Sequence, residues 1–325
     1  MGFVNKKLTI QGHVLYNSDA KIFYYSAEQT VQTIGNKQSY ATITGESNIV
    51  GLNSENLKSG EGAWILNGQQ STGAWGQQLA TDDYPVLSDY KVIKAAKGDN
   101  NTYWATFSDW NSDFNFGEGQ KVYTAKVSNG VMTLTSIADK IVSKGEGVLV
   151  KGNSEYLNAL MLNDDTEMAE ANNDTETAEA NNDLVATPAE PTVITANEGY
   201  TLYRLTYNNV STQDKLGFYL SLVKDDNDKV DETSLGKKLK ATPGKAYLNV
   251  STEAATTPAT AALARSFVFP GDDETTGIGE IVIEGDAGIS GSANANDRIY
   301  NLQGQQVTAP VKGLYIKNNK KVIIK

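Results

Sequence analysis

The sequence predicts an all-β protein, built from one or two small β-sandwich-like modules and a short β module at the C-terminus. Apolar and polar residues alternate with a period of two in many short stretches, and no stretch sustains the 3.6-residue period of a helix. Tyr, Gly, Asn, Thr and Ser are abundant, which is typical of short strands joined by turns. Two Asn-Gly pairs, at 67–68 and 129–130, indicate tight turns because both residue types tolerate positive φ.

The first predicted unit is an N-terminal β segment over residues 1–95. Residues 45–62 show no pattern that separates strands from turns. The candidate strands of this segment are short and lie at residues 7–16, 21–25, 40–44 and 63–66.

The second predicted unit is a β-sandwich module over residues 96–270, with an acidic disordered insertion at 161–192. Its clearest element is a hairpin in which 121–127 and 131–135 alternate on both sides of Asn129-Gly130. Residues 147–151 form an apolar run typical of a buried strand. The later candidate strands lie at residues 201–205, 216–220, 245–250 and 265–269.

The negative charge is concentrated in one segment of the chain. The net charge is −11, and residues 164–183 contain eight acids and no base, so the other residues carry 31 acids and 28 bases. This segment holds a tandem nonapeptide, 166–174 and 175–183, in which eight of nine positions match. Because the repeat has almost nothing apolar to bury, we expect a solvated loop that tolerated a duplication. A cation-binding patch is the alternative.

The last 28 residues reverse the sign of the charge. Residues 298–325 contain six bases and no acid, and they follow a Gly-, Ala- and Ser-rich stretch at 271–297 that predicts a flexible linker. Lys residues flank the final apolar strand, which discourages unwanted pairing of sheet edges. We therefore expect a short basic β tail that is accessible to a receptor. Completion of the edge of the main sheet is the alternative.

Composition excludes several classes of function. The chain has no Cys and a single His, His13, which excludes disulfide scaffolds, thiol nucleophiles and multi-His zinc sites. No apolar run reaches the roughly 18 residues of a membrane span, and the acidic total argues against nucleic-acid binding. Neither a phosphate-binding loop nor a nucleophile elbow occurs, so we expect no enzyme and no cofactor. The first residues lack the apolar core of a signal peptide.

Aromatic residues beside short polar ones supply the best candidate ligand site. In residues 103–116, Trp110 lies in a loop-like stretch between Asp109 and Asn111, and Trp75 is a second candidate. Sugar C–H faces stack on aromatic rings while polar neighbours bind the hydroxyls, so this pattern favours glycan contact. Packing in the core or in a turn is the alternative, and the more common role of such residues.

An acidic stretch at 225–232 is a candidate Ca²⁺ site. Asp226, Asp228 and Asp231 offer the oxygen ligands that Ca²⁺ prefers. The stretch lacks the central Gly and the distal Glu of an EF-hand loop. A polar hairpin tip is therefore the alternative.

Several phrases, in order, resemble the C-terminal region of Bacteroidetes cell-surface proteins, in which a β module follows BspA-like leucine-rich repeats and a secretion tail ends the chain. The resemblance covers roughly residues 60–325. The phrases that carry it are Gly-Glu-Gly-Ala-Trp-Ile-Leu-Asn-Gly at 60–68, Trp-Gly-Gln-Gln-Leu at 75–79, Tyr-Trp-Ala-Thr-Phe at 103–107, Gly-Glu-Gly-Val-Leu-Val-Lys-Gly at 145–152, Pro-Gly-Lys-Ala-Tyr-Leu at 243–248 and Ile-Tyr-Asn-Leu-Gln-Gly-Gln-Gln-Val at 299–307.

This resemblance implies an exported, extracellular or cell-surface protein with a structural or adhesive role. The implied partners are a glycan or a host or surface protein, and the secretion machinery through the C-terminal tail. The alternative is a non-catalytic accessory region of a secreted polysaccharide-degrading enzyme. The tail residues assigned by the resemblance are Tyr300, Gly304, Gly313, Tyr315, Lys320, Lys321 and Lys325.

Overall fold

A computed structural model describes the chain in separate ranges: residues 7–24, 27–30, 42–44, 46–162, 182–207, 215–224, 229–257, 262–269, 280–284, 299–300, 306–307, 313–317 and 320–324. The chain divides into two units, Met1–Glu284 and Gly285–Lys325. Strands dominate, with two short α-helices among the described residues, which confirms the all-β class. Neither helix has the length and apolarity that crossing a membrane requires.

The first unit begins with short paired strands and both helices. Strands β1 and β5 pair in parallel, as do β2 and β6, whereas β3–β4 and β7–β8 are antiparallel. A 3₁₀ turn, Glu46–Asn48, precedes β6. The bounds are β1 Lys7–Thr9, β2 Val14–Asn17, β3 Lys21–Tyr24, β4 Ala27–Thr30, β5 Thr42–Thr44, β6 Ile49–Leu52, α1 Ser54–Lys58, α2 Glu61–Leu66, β7 Trp75–Gly76 and β8 Val86–Leu87.

The predicted strand at 63–66 is wrong, because these residues belong to helix α2. Gly60, at φ +99°, provides the turn that starts the helix, and Ala63 packs on the adjacent sheet. The helix ends at Asn67-Gly68, where Gly68 has φ +70° and the Gln69 N–H donates to the Trp64 carbonyl. An Asn-Gly pair suits a helix C-terminus as well as a hairpin, because both need positive φ.

The remaining strands of the first unit form three main sheets and two two-stranded ribbons, β19-β22 and β24-β25. In the order of hydrogen bonding, the main sheets are β15-β12-β17-β9, β10-β11-β16-β13-β14-β27 and β18-β23-β20-β21-β26. A second 3₁₀ turn lies at Glu232–Ser234. The bounds are β9 Tyr90–Lys94, β10 Ala96–Lys97, β11 Tyr103–Phe107, β12 Asp113–Phe116, β13 Lys121–Ser128, β14 Val131–Ile137, β15 Ile141–Val142, β16 Val148–Gly152, β17 Tyr156–Leu162, β18 Leu184–Ala186, β19 Thr192–Thr195, β20 Tyr200–Tyr207, β21 Leu216–Leu220, β22 Lys238–Ala241, β23 Ala246–Ser251, β24 Thr256–Thr257, β25 Ala262–Leu263, β26 Ser266–Val268 and β27 Glu280–Glu284.

The six-stranded sheet is the middle layer of the sandwich and is apolar on both faces. In β16, Val148 and Val150 face a core that includes Phe107 of β11 and side chains of the four-stranded sheet. Leu149, between them, faces a second core that includes Tyr203 of the five-stranded sheet. Because successive side chains of a strand point to opposite faces, a strand buried on both faces reads as a continuous apolar run. The first unit therefore has two sandwich cores that share one sheet, where the sequence predicts one or two sandwich-like modules.

The predicted hairpin around Asn129-Gly130 is confirmed. Strands β13 and β14 are antiparallel, with Ser128 opposite Val131 across a two-residue turn. Asn129 has φ +53° and Gly130 has φ +76°, as a type I′ turn requires.

Helix α2 covers the outer face of the four-stranded sheet, and a two-stranded ribbon covers the outer face of the five-stranded sheet. Ala63 and Trp64 of α2 pack with Val92 and Tyr156 of the four-stranded sheet. On the other side, β19 and β22 pair in a two-stranded ribbon, and Leu239 of β22 packs on Leu202. The outer sheets thus bury apolar residues on both faces.

The domain limits in the structure differ from the predicted ones. The boundary at 95/96 cuts through the sandwich, because β9 pairs with β17. The predicted disordered insertion at 161–192 is ordered at both ends, since β17 extends to Leu162 and β18 lies within the C-terminal part; residues 163–181 lie outside the described residues. The predicted linker at 271–297 is interrupted by β27, which pairs in parallel with β14.

The second unit is a four-stranded antiparallel sheet in the order β29-β28-β30-β31. It contains the strands that the sequence predicts for the basic tail. The bounds are β28 Ile299–Tyr300, β29 Gln306–Val307, β30 Gly313–Lys317 and β31 Lys320–Ile324.

Candidate functional site

The loop between β11 and β12 presents Trp110 at the surface. The indole is 50% exposed, and its Nε1–H donates to the Thr187 carbonyl across 2.6 Å, which fixes the ring orientation. The ring lies close to Gly145, where a Cβ would be 3.3 Å from Cζ3. Trp110 is therefore an oriented aromatic platform rather than a mobile side chain.

A cavity of about 510 Å³ opens beside Trp110. It lies where the β15–β16 connection approaches the start of β18. Besides Trp110, its lining residues are Ser143, Lys144, Gly145, Glu146, Gly147, Asn182, Leu184, Val185 and Ala186. The cavity thus combines one exposed ring with backbone edges, an amide and a carboxyl group, which is a typical composition of a small-molecule site.

Two glycines in the Gly145-Glu146-Gly147 phrase shape this wall. Gly145 has φ +81°, which favours glycine. Gly147 allows the chain to approach β18, since a Cβ there would be 2.8 Å from the Val185 carbonyl carbon. The phrase was visible in the sequence, but its partner strand lies about forty residues further along the chain.

Glu146 is the titratable group of this cavity with a shifted pKa. Burial raises the pKa of its carboxyl group, and the hydrogen bond from the Ser143 N–H opposes that rise. A half-buried carboxyl group beside an aromatic ring suits hydrogen bonding to a neutral polar ligand. Glu146 was not predicted as a site residue, because its sequence neighbours do not indicate that it is half-buried.

The last two residues of the acidic repeat are anchored next to the cavity. Asn182 donates to the Gly147 carbonyl across 2.8 Å and accepts from the N–H groups of Ala125 and Leu184. The Asp183 carboxylate accepts from the Val127 N–H across 2.7 Å and from Lys126 Nζ across 2.9 Å. The end of the repeat is therefore part of the packed sandwich, which the sequence did not predict.

The other predicted glycan contacts lie outside the lining of this cavity. The Asp109 carboxylate accepts from the N–H groups of Asn111 and Ser112, so it closes the loop that carries Trp110. Asn111 is exposed. Trp75 is partly buried, and its backbone is held by the Asn67 side chain. Of the predicted residues, Trp110 alone lines the cavity described here.

The candidate Ca²⁺ residues are only partly described. Asp231 is the N-cap of the second 3₁₀ turn, and its Oδ1 accepts from the N–H and the hydroxyl of Thr233. This hydrogen bonding lowers the pKa of the Asp231 carboxyl group. Asp226 and Asp228 lie outside the described residues. Within the described ranges, no group of three or more His, Cys, Asp and Glu side chains is placed to hold a metal ion.

The assigned tail residues fall on the strands of the second unit. Tyr300 is in β28, Gly313 and Tyr315 are in β30, and Lys320 and Lys321 are in β31. Gly304 and Lys325 lie outside the described residues. The described strands of the tail thus form their own small sheet.

Comparison with known proteins gives no relative. No protein-family model matches the chain, and no curated protein or solved structure shows significant similarity to it.

Proposed function

We propose that this chain is an exported, non-catalytic cell-surface protein with a structural or adhesive role, and that it contacts glycans through the Trp110 cavity. The observation that carries the glycan contact is the half-exposed indole, fixed by Thr187 at the mouth of a polar-edged cavity. A sugar ring stacks its C–H face on such a ring, and the Glu146 carboxyl group lies in the same cavity, where it can hydrogen-bond to a sugar hydroxyl.

Export to the surface is supported by the sequence resemblance and by the character of the tail. Residues 298–325 are basic, and the described strands among them, β28 to β31, form a sheet within the second unit. A compact terminal module of opposite charge to the body suits recognition by delivery machinery. We therefore propose that the tail is a delivery signal.

Replacing Trp110 tests the glycan contact. Trp110→Ala is expected to weaken binding to glycans that the unmodified chain retains on an array by at least about tenfold, because it removes the stacking face. Trp110→Phe should restore part of the binding, and Trp75→Ala is the matched control that leaves it unchanged. Unchanged binding by Trp110→Ala, or no glycan bound by the unmodified chain, would refute the proposal.

Deleting residues 298–325 tests the delivery role. In a Bacteroidetes host, the truncated chain is expected to be absent from the cell surface, because the element read by the machinery is missing. Surface labelling and fractionation measure this, and removal of one repeat copy, residues 166–174, is a control that should leave delivery intact. Normal surface delivery of the truncated chain would show that the tail is structural.

A further inference from the structure

Basic residues converge on a second cavity, although the protein is acidic overall. This basic cavity, of about 270 Å³, lies between residues of β9, β11, β20, β22 and β23, and its basic lining residues are Lys94, Arg204, Lys240 and Lys245. None of its described lining residues is Asp or Glu. Lys94 is paired with Glu155, whose Oε1 lies 3.1 Å from its Nζ, and the other three bases create a positive potential that attracts anions.

Lys245 is the central group of this cavity, and its backbone is held firmly. Its carbonyl oxygen accepts from the hydroxyls of Ser108 across 2.5 Å and Thr187 across 2.8 Å. The preceding Gly244 lies against Ser71, where a Cβ would be 2.4 Å from Oγ. The backbone from which the Lys245 side chain extends is thus fixed before any ligand binds.

The Lys245 ammonium group has no counter-charge in the described part of the chain. No described carboxylate lies within 4.0 Å of its Nζ, which lies 5.7 Å from the centroid of the Trp64 ring. The Lys245 side chain is half-buried, and a half-buried cation without a counter-charge in the described ranges is a candidate for binding an anionic ligand.

An aromatic groove continues from the basic cavity. This groove, of about 540 Å³, shares Lys94 and Lys245 with the cavity and is also lined by Trp64, Tyr103 and Tyr207. Its acidic residue, Glu155, is already paired with Lys94, with Oε1 3.1 Å from Nζ. The combined space is larger than a single inorganic ion needs, and its aromatic lining suits a ring.

We propose that the basic cavity binds the carboxylate or sulfate group of an acidic saccharide, with the sugar ring in the aromatic groove against Trp64. Arg and Lys side chains form charge-assisted hydrogen bonds with both oxyanions. The proposal goes beyond the glycan contact at Trp110, because the two cavities share no lining residue.

The protonation of Lys245 gives this site a characteristic pH dependence. Burial lowers the pKa of the Lys245 ammonium group to about 8. An oxyanion supplies the missing counter-charge, so it binds the protonated form and raises that pKa. Binding should therefore be constant below pH 7 and become weaker above pH 8, by up to about 30-fold at pH 9.5, where ~3% of the amine is protonated.

Calorimetric titration of the full chain tests the proposal. The probes are a galacturonate tetrasaccharide, a sulfated heparin-type tetrasaccharide, uncharged maltotetraose and inorganic sulfate, each at pH 6.5 and 9.5. At least one acidic saccharide should bind at pH 6.5 with at least tenfold higher affinity than maltotetraose and inorganic sulfate, and it should lose affinity at pH 9.5.

Matched variants separate charge from structure. Lys245→Met should reduce acidic-saccharide binding at least tenfold and abolish its pH dependence, with no loss of thermal stability. Lys245→Arg should retain acidic-saccharide binding at pH 9.5. Lys58→Met, which removes a base that lines another cavity, should change neither the affinity nor its pH dependence. Equal affinity for inorganic sulfate, or unchanged binding by Lys245→Met, would overturn the proposal. If Trp110→Ala abolishes acidic-saccharide binding while Lys245→Met preserves it, the ligand occupies the Trp110 cavity, so this inference fails and the proposed function stands.

Discussion

Trp104→Ala is expected to lower the free energy of unfolding by about 3–5 kcal/mol, the range for removing a buried aromatic side chain. The indole is 4% exposed and stacks on Phe269, with ring centroids 4.3 Å apart and an interplanar angle of 13°. It also lies 5.9 Å from the Tyr123 ring, measured between centroids. Alanine would leave a cavity that the Phe269 and Tyr123 rings cannot fill without a shift of their backbone.

Denaturant titration followed by circular dichroism measures this loss. Trp110→Ala is the matched control, since it removes the same side chain from a half-exposed position and should cost about 1–2 kcal/mol, chiefly for the hydrogen bond to the Thr187 carbonyl. A similar loss for both variants would contradict the assignment of Trp104 to the core and Trp110 to the surface.

Asp183→Ala is expected to lower the free energy of unfolding by about 1–3 kcal/mol, because it leaves the Val127 N–H of β13 without an acceptor. The Asp183 side chain is 14% exposed, so water replaces the lost oxygen poorly. The same change frees the end of the acidic repeat, which we expect to increase hydrogen exchange in β18. Denaturant titration and exchange mass spectrometry measure the two effects.

Lys126→Met distinguishes the hydrogen bond of Asp183 from its ion pair. The Lys126 side chain is 46% exposed, so its loss should cost at most about 1 kcal/mol. If Lys126→Met destabilised the chain as much as Asp183→Ala, the ion pair rather than the backbone hydrogen bond would anchor this segment.

Alternation and turn residues predicted the hairpins and strands whose conformation depends on neighbouring residues in the sequence. The β13–β14 hairpin follows from its Asn129-Gly130 turn and from alternation on both sides. The strand at Leu216–Leu220 has the predicted bounds. The strand prediction at residues 63–66 was wrong because four apolar residues fit a buried strand and a helix equally well. Packing of these residues on the four-stranded sheet favours the helix.

The candidate sites depended more on tertiary contacts. Sequence reasoning found Trp110 because its polar neighbours signal a loop, but it could not supply Glu146 and Asn182, which join it from other segments. Lys245 was missed for the same reason. In the sequence it is an ordinary Lys at the start of a predicted strand. Helix α2 and β9 contribute Trp64 and Lys94, which line the aromatic groove together with Lys245.

The sheet shared between the two cores has a consequence for how the first unit loses its structure. Neither face of the middle layer meets water in its centre, since Leu149 and Val150, neighbours in β16, are both fully buried on opposite sides. If one outer sheet detached, it would expose a face of the middle layer and weaken the strands that hold the opposite core. The stacked sheets should therefore melt in a single cooperative transition, without a half-unfolded state that retains one intact sandwich.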